Sequence, residues 1–174
     1  MYGRPVVEPC RRVAAVSLND WILALHLLAA TSLVGAMTAF SIFIVSIWND
    51  DRPSRVLSTY RLAPPATAMV IAGMAGTIVF GIWLSISKDR YNPWDGWVIA
   101  AIVLWVIGSA TGQRSGVEYV KAQTRAQELL DAGRDEASPE LVELVRNRRA
   151  LALHVVSTVA VLLILVDMIW KPGA

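Results

Sequence analysis

Hydrophobic residues in this chain gather in four long runs, and polar residues gather in the breaks between them. The first run covers residues 21–48 and is longer than the roughly 20 residues needed to cross hydrocarbon, so it predicts a tilted or protruding membrane helix. Asn19 and Asp20 stand where a helix N-cap belongs. The second run, 62–86, opens on Pro64-Pro65, which a first helical turn tolerates because its N–H groups lack partners anyway. The third, 97–112, follows the turn-forming Asn92-Pro93-Trp94-Asp95-Gly96, and the fourth, 150–170, stops at Lys171-Pro172-Gly173. Six of the seven tryptophans (21, 48, 83, 94, 97 and 170) lie at or beside span ends, the depth at which an apolar ring with one N–H is most stable. The pattern predicts an all-α fold: an integral membrane four-helix bundle forming one transmembrane domain over residues 1–174.

The longest polar segment, 113–149, lies between spans three and four. Val117, Val120, Thr124, Gln127 and Leu130 form a ragged apolar stripe, and Gly133 suits the residue just past a helix end. Ser138-Pro139-Glu140 reads as a cap, a proline at the first helical position and an acid in the first turn. Leu141, Leu144 and Val145 then continue the spacing toward the fourth span. Spans three and four are therefore expected to extend into the cytoplasm as a polar helical hairpin. A solvated charged loop is the other reading.

Composition agrees with a bilayer environment. Of 174 residues, 55% are hydrophobic and 17% charged, below the quarter or so usual in soluble domains. The net charge of +2 is too small and dispersed for nucleic-acid binding. Cys10 is the only cysteine, which excludes an intrachain disulfide and a cysteine metal cage. The first twenty residues lack an apolar core and a small-residue cleavage site, so no cleaved signal peptide is expected. Ten basic residues follow spans one and three on one side, and six (Arg4, Arg11, Arg12, Lys88, Arg90, Lys171) lie on the other. That excess predicts both termini outside and the hairpin inside.

Ionisable groups within hydrocarbon cost several kcal/mol and ask for a partner or a role. There are three: His26, His154 and Asp167. Helical rise puts His26 about 12 Å and Asp167 about 10 Å from mid-span toward the outer face, and His154 about 9 Å toward the inner face. His26 and Asp167 can meet if spans one and four are neighbours. His154, roughly 20 Å away, cannot share one haem with His26 in a single chain. His26 is the candidate axial ligand to a b-type haem, Asp167 a carboxylate that could orient it, and His154 a weaker cofactor ligand. The alternatives are packing histidines, and an Asp167 paired with Lys171 one turn on.

The small residues Ala72-Gly73-Met74-Ala75-Gly76, Gly81, and Ser32 with Ala36 are patterns for close helix approach, which packing explains better than a macrocycle site. Met37, Met69, Met74 and Met168 show no paired metal-binding spacing. No phosphate loop, Ser/His/Asp set or metalloprotease motif is present.

Trp21-x-x-Ala24-x-His26 followed by Gly35 resembles the opening helix of HemJ-type protoporphyrinogen oxidases and CopD-like copper-resistance proteins. With Arg61-Leu62-Ala63-Pro64-Pro65 and the closing Asp167-Met168-Ile169-Trp170-Lys171-Pro172-Gly173, nearly the whole chain is similar to a bacterial four-helix integral-membrane family of unknown function. The resemblance implies a bacterial inner-membrane location and a haem ligand at His26. The HemJ-type relatives also carry a lysine and a histidine in span three, where this chain has neither. Porphyrinogen oxidation is therefore not implied. Three readings follow: a b-haem-binding or quinone-associated redox component; a cofactor-free accessory subunit of a larger respiratory-type complex, docking through the hairpin; and a small ion or copper transporter with His26, Asp167 and His154 as stations. The expected partners are the lipid bilayer and a second copy or other membrane subunits.

Overall fold

The computed structural model describes residues 16–87 and 94–171. The expectations for Cys10, the N-terminal arginines, Lys88, Arg90, Asn92-Pro93 and Pro172-Gly173 fall outside these residues. The described chain is helical throughout: α1 (Leu18–Trp48), α2 (Pro53–Tyr60), α3 (Ala63–Ser87), α4 (Gly96–Asp131), α5 (Pro139–Val145) and α6 (Arg148–Trp170). Four of these, α1, α3, α4 and α6, carry the apolar runs and are long enough to cross a bilayer. Hydrocarbon offers backbone groups no water, so every N–H and C=O must be satisfied within the segment, and a helix does that. Hydroxyls inside the spans are silenced the same way: Thr31, Thr38, Thr67 and Thr111 each donate to the carbonyl four residues back.

The helices pack as two pairs. α1 runs along α3 and α4 along α6, while α1 and α6 touch more lightly. Each seam is lined by small groups. A Cβ on Gly73 would lie 2.9 Å from the Ala29 carbonyl oxygen, and one on Gly76 would lie 2.7 Å from the Ala29 Cβ. In the other seam a Cβ on Gly112 would lie 2.9 Å from the Ser157 hydroxyl. Large side chains such as Ile71, Val79, Val103 and Leu162 point outward instead. This is the arrangement lipid favours: close backbones inside and bulky apolar groups facing acyl chains.

At one end, here called the polar end, the pairs are joined by a core of the kind found in soluble proteins. Ile44 and Ile47 of α1, Val56 of α2, Tyr119, Ala122, Ala126 and Leu129 of α4, Leu141 and Val145 of α5, and Ala150 of α6 are buried together. α2 was not expected; its eight residues carry no apolar run, yet Val56 is fully buried. The inward stripe of α4 is also different from the expected one. Val117 and Val120 are exposed, and Ser115, Tyr119, Ala122, Ala126 and Leu129 face the core. Small residues suit that face because α2 and α5 come close to it.

Helix ends follow side-chain chemistry. Ser17 caps α1 in place of Asn19 or Asp20: its hydroxyl oxygen accepts from the Asp20 N–H, and the Asp20 carboxylate accepts from the Ser17 N–H at 2.9 Å. α4 runs unbroken from the third span to Asp131 and ends on Gly133 at φ 71°, with Arg134 N–H donating to Leu129 O and Gly133 N–H to Leu130 O. Ser138 and Pro139 do open α5. α5 does not continue into the fourth span, however. The chain breaks at Arg146-Asn147, because the Asn147 side chain takes the N–H groups of Arg149 and Ala150 and starts α6 afresh.

Asp135, in the α4–α5 connection, caps α2 from a distance. Its carboxylate accepts from the Ser54 N–H at 2.9 Å and the Ser54 hydroxyl at 2.7 Å. These bonds to the N–H and then the hydroxyl, with the nearby Arg52 charge, hold the Asp135 carboxyl below the ordinary aspartate range. A depressed folded-state pKa contributes stability above the unfolded value and loses it as pH falls through the folded value. Asp135→Ala is therefore expected to speed amide hydrogen exchange at residues 54–56 at neutral pH. That difference from the wild type should begin to shrink as the pH falls to about 4, where the unfolded aspartate protonates, and should vanish only below the depressed folded-state value. An undiminished difference at low pH would contradict the cap.

Candidate functional site

The three ionisable residues of the spans lie in different seams. His26 is on the α1 face turned to α3. Its ring fills the space left by Gly81, where a Cβ would come within 3.2 Å of Cε1 and 3.6 Å of Nδ1. The ring approaches the Thr77 backbone carbonyl one turn before Gly81, but Nδ1 is covered and makes no hydrogen bond of good geometry. His26 as a whole is only partly buried.

Asp167 is buried in the other pair, on the α6 face that packs on α4, with no hydrogen-bond partner at Oδ2. Its carbonyl accepts from the Lys171 N–H at 2.8 Å, and the Lys171 ammonium lies 5.6 Å from the Trp97 ring centroid. No hydrogen bond or ion pair among the described residues joins His26 to Asp167. Equal depth is not proximity here, because each residue faces its own hairpin partner.

His154 shares the buried face of α6 with Ser157, Ala160 and Asp167. It is also the residue through which the two hairpins bond across the bilayer interior: Nε2 lies 2.9 Å from the Ser41 hydroxyl of α1. Ser41 also lies 2.9 Å from the Met37 carbonyl. With its single proton given to that carbonyl, Ser41 accepts from His154 Nε2–H. On either side of this contact the α4–α6 seam is stitched, by Ser115 Oγ donating to Ala150 O at 2.9 Å toward the polar end and Ser157 Oγ donating to Gly108 O at 2.8 Å toward mid-span.

Gly73, Gly76 and Gly81 are occupied by α1 itself, through Ala29, Leu33 and His26. The α1–α3 seam thus has no room for a flat macrocycle. Of the His26 ring nitrogens Nδ1 is the covered one, so a metal on this imidazole would have to take Nε2. Groups of three or more His, Cys, Asp or Glu placed to hold a metal ion do not occur among the described residues.

Sequence reasoning passed over a feature at mid-span. A crevice between the hairpins is lined by Leu33 and Met37 of α1, Met74 of α3, Leu104, Trp105, Gly108 and Ser109 of α4, and Ser157, Val161 and Ile164 of α6. The Trp105 Nε1–H is covered and has no acceptor. The signal was present in the sequence: Trp105 is the one tryptophan away from a span end.

The model of a family described as Predicted integral membrane protein (DUF2269) matches residues 20–172. The chain belongs to this family. All six helices lie within the match apart from the first two residues of α1. No curated protein and no solved structure matches the chain.

The Ser41–His154 bond yields a test for this DUF2269 member. A double-mutant cycle with Ser41→Ala and His154→Ala, read by denaturant unfolding in mild detergent, is expected to show a coupling of about 0.6–2 kcal/mol, the range of interhelical hydrogen bonds in membranes. Additive single effects would show that the hairpins are not joined there.

Proposed function

We propose that this membrane protein is a redox component that holds a b-type haem at His26, with the second axial ligand supplied by another copy or a partner subunit. The observation that carries the reading is the state of the two imidazole nitrogens. Nδ1 is covered in the α1–α3 seam beside Gly81, which leaves Nε2 as the nitrogen available at the rim. A ligating imidazole needs its other nitrogen and its ring plane held in place, and here the packing of the ring against Gly81 does that. The resemblance of Trp21, Ala24 and His26 to the opening helix of HemJ-type and CopD-like proteins favours the same assignment. Haem, when bound, supplies one-electron transfer. The chain's part is to orient the imidazole through the seam and to keep water from that depth.

His154 is left out of this role, because its Nε2 is engaged by Ser41, and Asp167 because it lies in the other hairpin. In this reading the polar end, with its excess of arginine, faces the cytoplasm of a bacterial inner membrane.

A reduced-minus-oxidised visible spectrum of the protein purified in mild detergent tests the proposal. Soret and α bands are expected in the wild type and in His154→Ala, and their loss is expected in His26→Ala. Absent bands would remove the haem reading, and bands that survive His26→Ala would remove the ligand.

A further inference from the structure

We infer that the lipid-facing flank of the α4–α6 hairpin holds an anionic phospholipid, with Arg114 and Arg149 clamping its headgroup phosphate. The pair is antiparallel, tied by the Ser115–Ala150 and Ser157–Gly108 bonds. In such a pair the residues just before two facing positions fall on the same flank of the seam, because side chains wind by about 100° per residue in opposite senses. Arg114 and Arg149 are the residues just before Ser115 and Ala150, and both are exposed. His154, Trp105 and Ser109 occupy the other flank, toward α1 and α3. Neither guanidinium has an ion-pair partner among the described residues. Glu118, the acid one turn past Arg114, is engaged elsewhere: its carboxylate accepts from Lys121 Nζ at 2.8 Å and from Asn147 Nδ2 at 3.5 Å.

Depth and lining identify the occupant. Arg146 Nε donates at 3.3 Å to the carbonyl of Trp48, the last residue of α1, which places this foot of the hairpin at the depth of an interfacial tryptophan. Arg149 lies within about one helical turn of that depth, inside a headgroup layer of about 5–7 Å. The Ser115–Ala150 bond keeps Arg114 level with it. Toward mid-span the same flank turns apolar. Ile107 and Val103 stand seven and eleven residues before Arg114, and Val156 and Leu163 seven and fourteen after Arg149, spacings that return to one helix face. All four are exposed. Two cations at the head of an apolar track match a phosphate joined to acyl chains. A guanidinium takes phosphate oxygens with a fork of N–H donors, and basic groups at the feet of membrane spans bind anionic headgroups. Choline and ethanolamine lipids bring their own cation to the phosphate, so an anionic lipid gains more from the pair. A soluble anion would leave the apolar track unused.

The site shares no residue with His26 and stands without haem. The test is native mass spectrometry of the full chain in mild detergent, titrated with an equimolar mixture of dioleoyl phosphatidylglycerol and dioleoyl phosphatidylcholine. Saturable, preferential retention of phosphatidylglycerol is expected. Arg114→Gln and Arg149→Gln should each weaken it about fivefold, the effect of one cation beside an anionic headgroup. Arg134→Gln, which alters an exposed arginine in the α4–α5 connection, should leave it unchanged. Inorganic phosphate should not compete. A readout that needs no variant is photolabelling of the wild type by phosphatidylglycerol with a diazirine on the acyl chain next to the ester. Peptide mass spectrometry should then find the label within residues 103–114 or 149–156. The inference is overturned by equal retention of the two lipids, by undiminished retention in both glutamine variants, by displacement with inorganic phosphate, or by labelling confined to α1 and α3.

Discussion

Inside hydrocarbon, helices gain little from hiding apolar surface, because lipid is as apolar as leucine. How closely two backbones can approach then decides which helices pair. In this chain that approach is set by glycine and serine: Gly73 and Gly76 against Ala29, and Gly108 and Gly112 against Ala160 and Ser157. Those contacts fix α1 on α3 and α4 on α6, and the remaining features follow. Two tight seams leave a looser junction between the hairpins, so a crevice opens there. The polar end is where water restores the ordinary hydrophobic effect, and there α2, α5 and the extension of α4 clamp the hairpins together around Leu129, Leu141 and Val56.

This division explains the different characters of the three ionisable groups. His26 lies in one seam and Asp167 in the other, so each is held by its hairpin and not by the other residue. His154 sits where the hairpins meet and contributes a hydrogen bond to that junction. One residue therefore sits partly exposed in its seam, one is buried in the other, and one bonds the two hairpins together.

The spans were legible in the sequence because 20-residue apolar runs with tryptophan at their ends have few other readings, and Gly133 and Ser138-Pro139 marked two helix ends correctly. Pairing was not legible. A small-xxx-small pattern announces close approach without naming the partner, so equal depth suggested a His26–Asp167 contact that the seams do not make. The core-facing stripe of α4 was hidden for a related reason: Ser115, Ala122 and Ala126 are small enough for α2 and α5 to approach, and small residues do not stand out as hydrophobic. α2 escaped notice because Val56 and Leu57 are too few to form a run. For the candidate site, the residue type of His26 was visible, but Gly81, which seats its ring, lies on another helix.

The pairing of the spans is the claim on which all of this rests, and disulfide trapping tests it most directly. The Gly108 and Ala160 positions face each other at a Cβ separation of 3.4 Å, close to the separation a disulfide requires. In a Cys10→Ser background, Gly108→Cys combined with Ala160→Cys should cross-link rapidly in native membranes under mild oxidation. Val79→Cys with Ala160→Cys, which places one thiol on the outward face of α3, should not. Cross-linking of the second pair at the rate of the first, or of neither, would contradict the two-hairpin account.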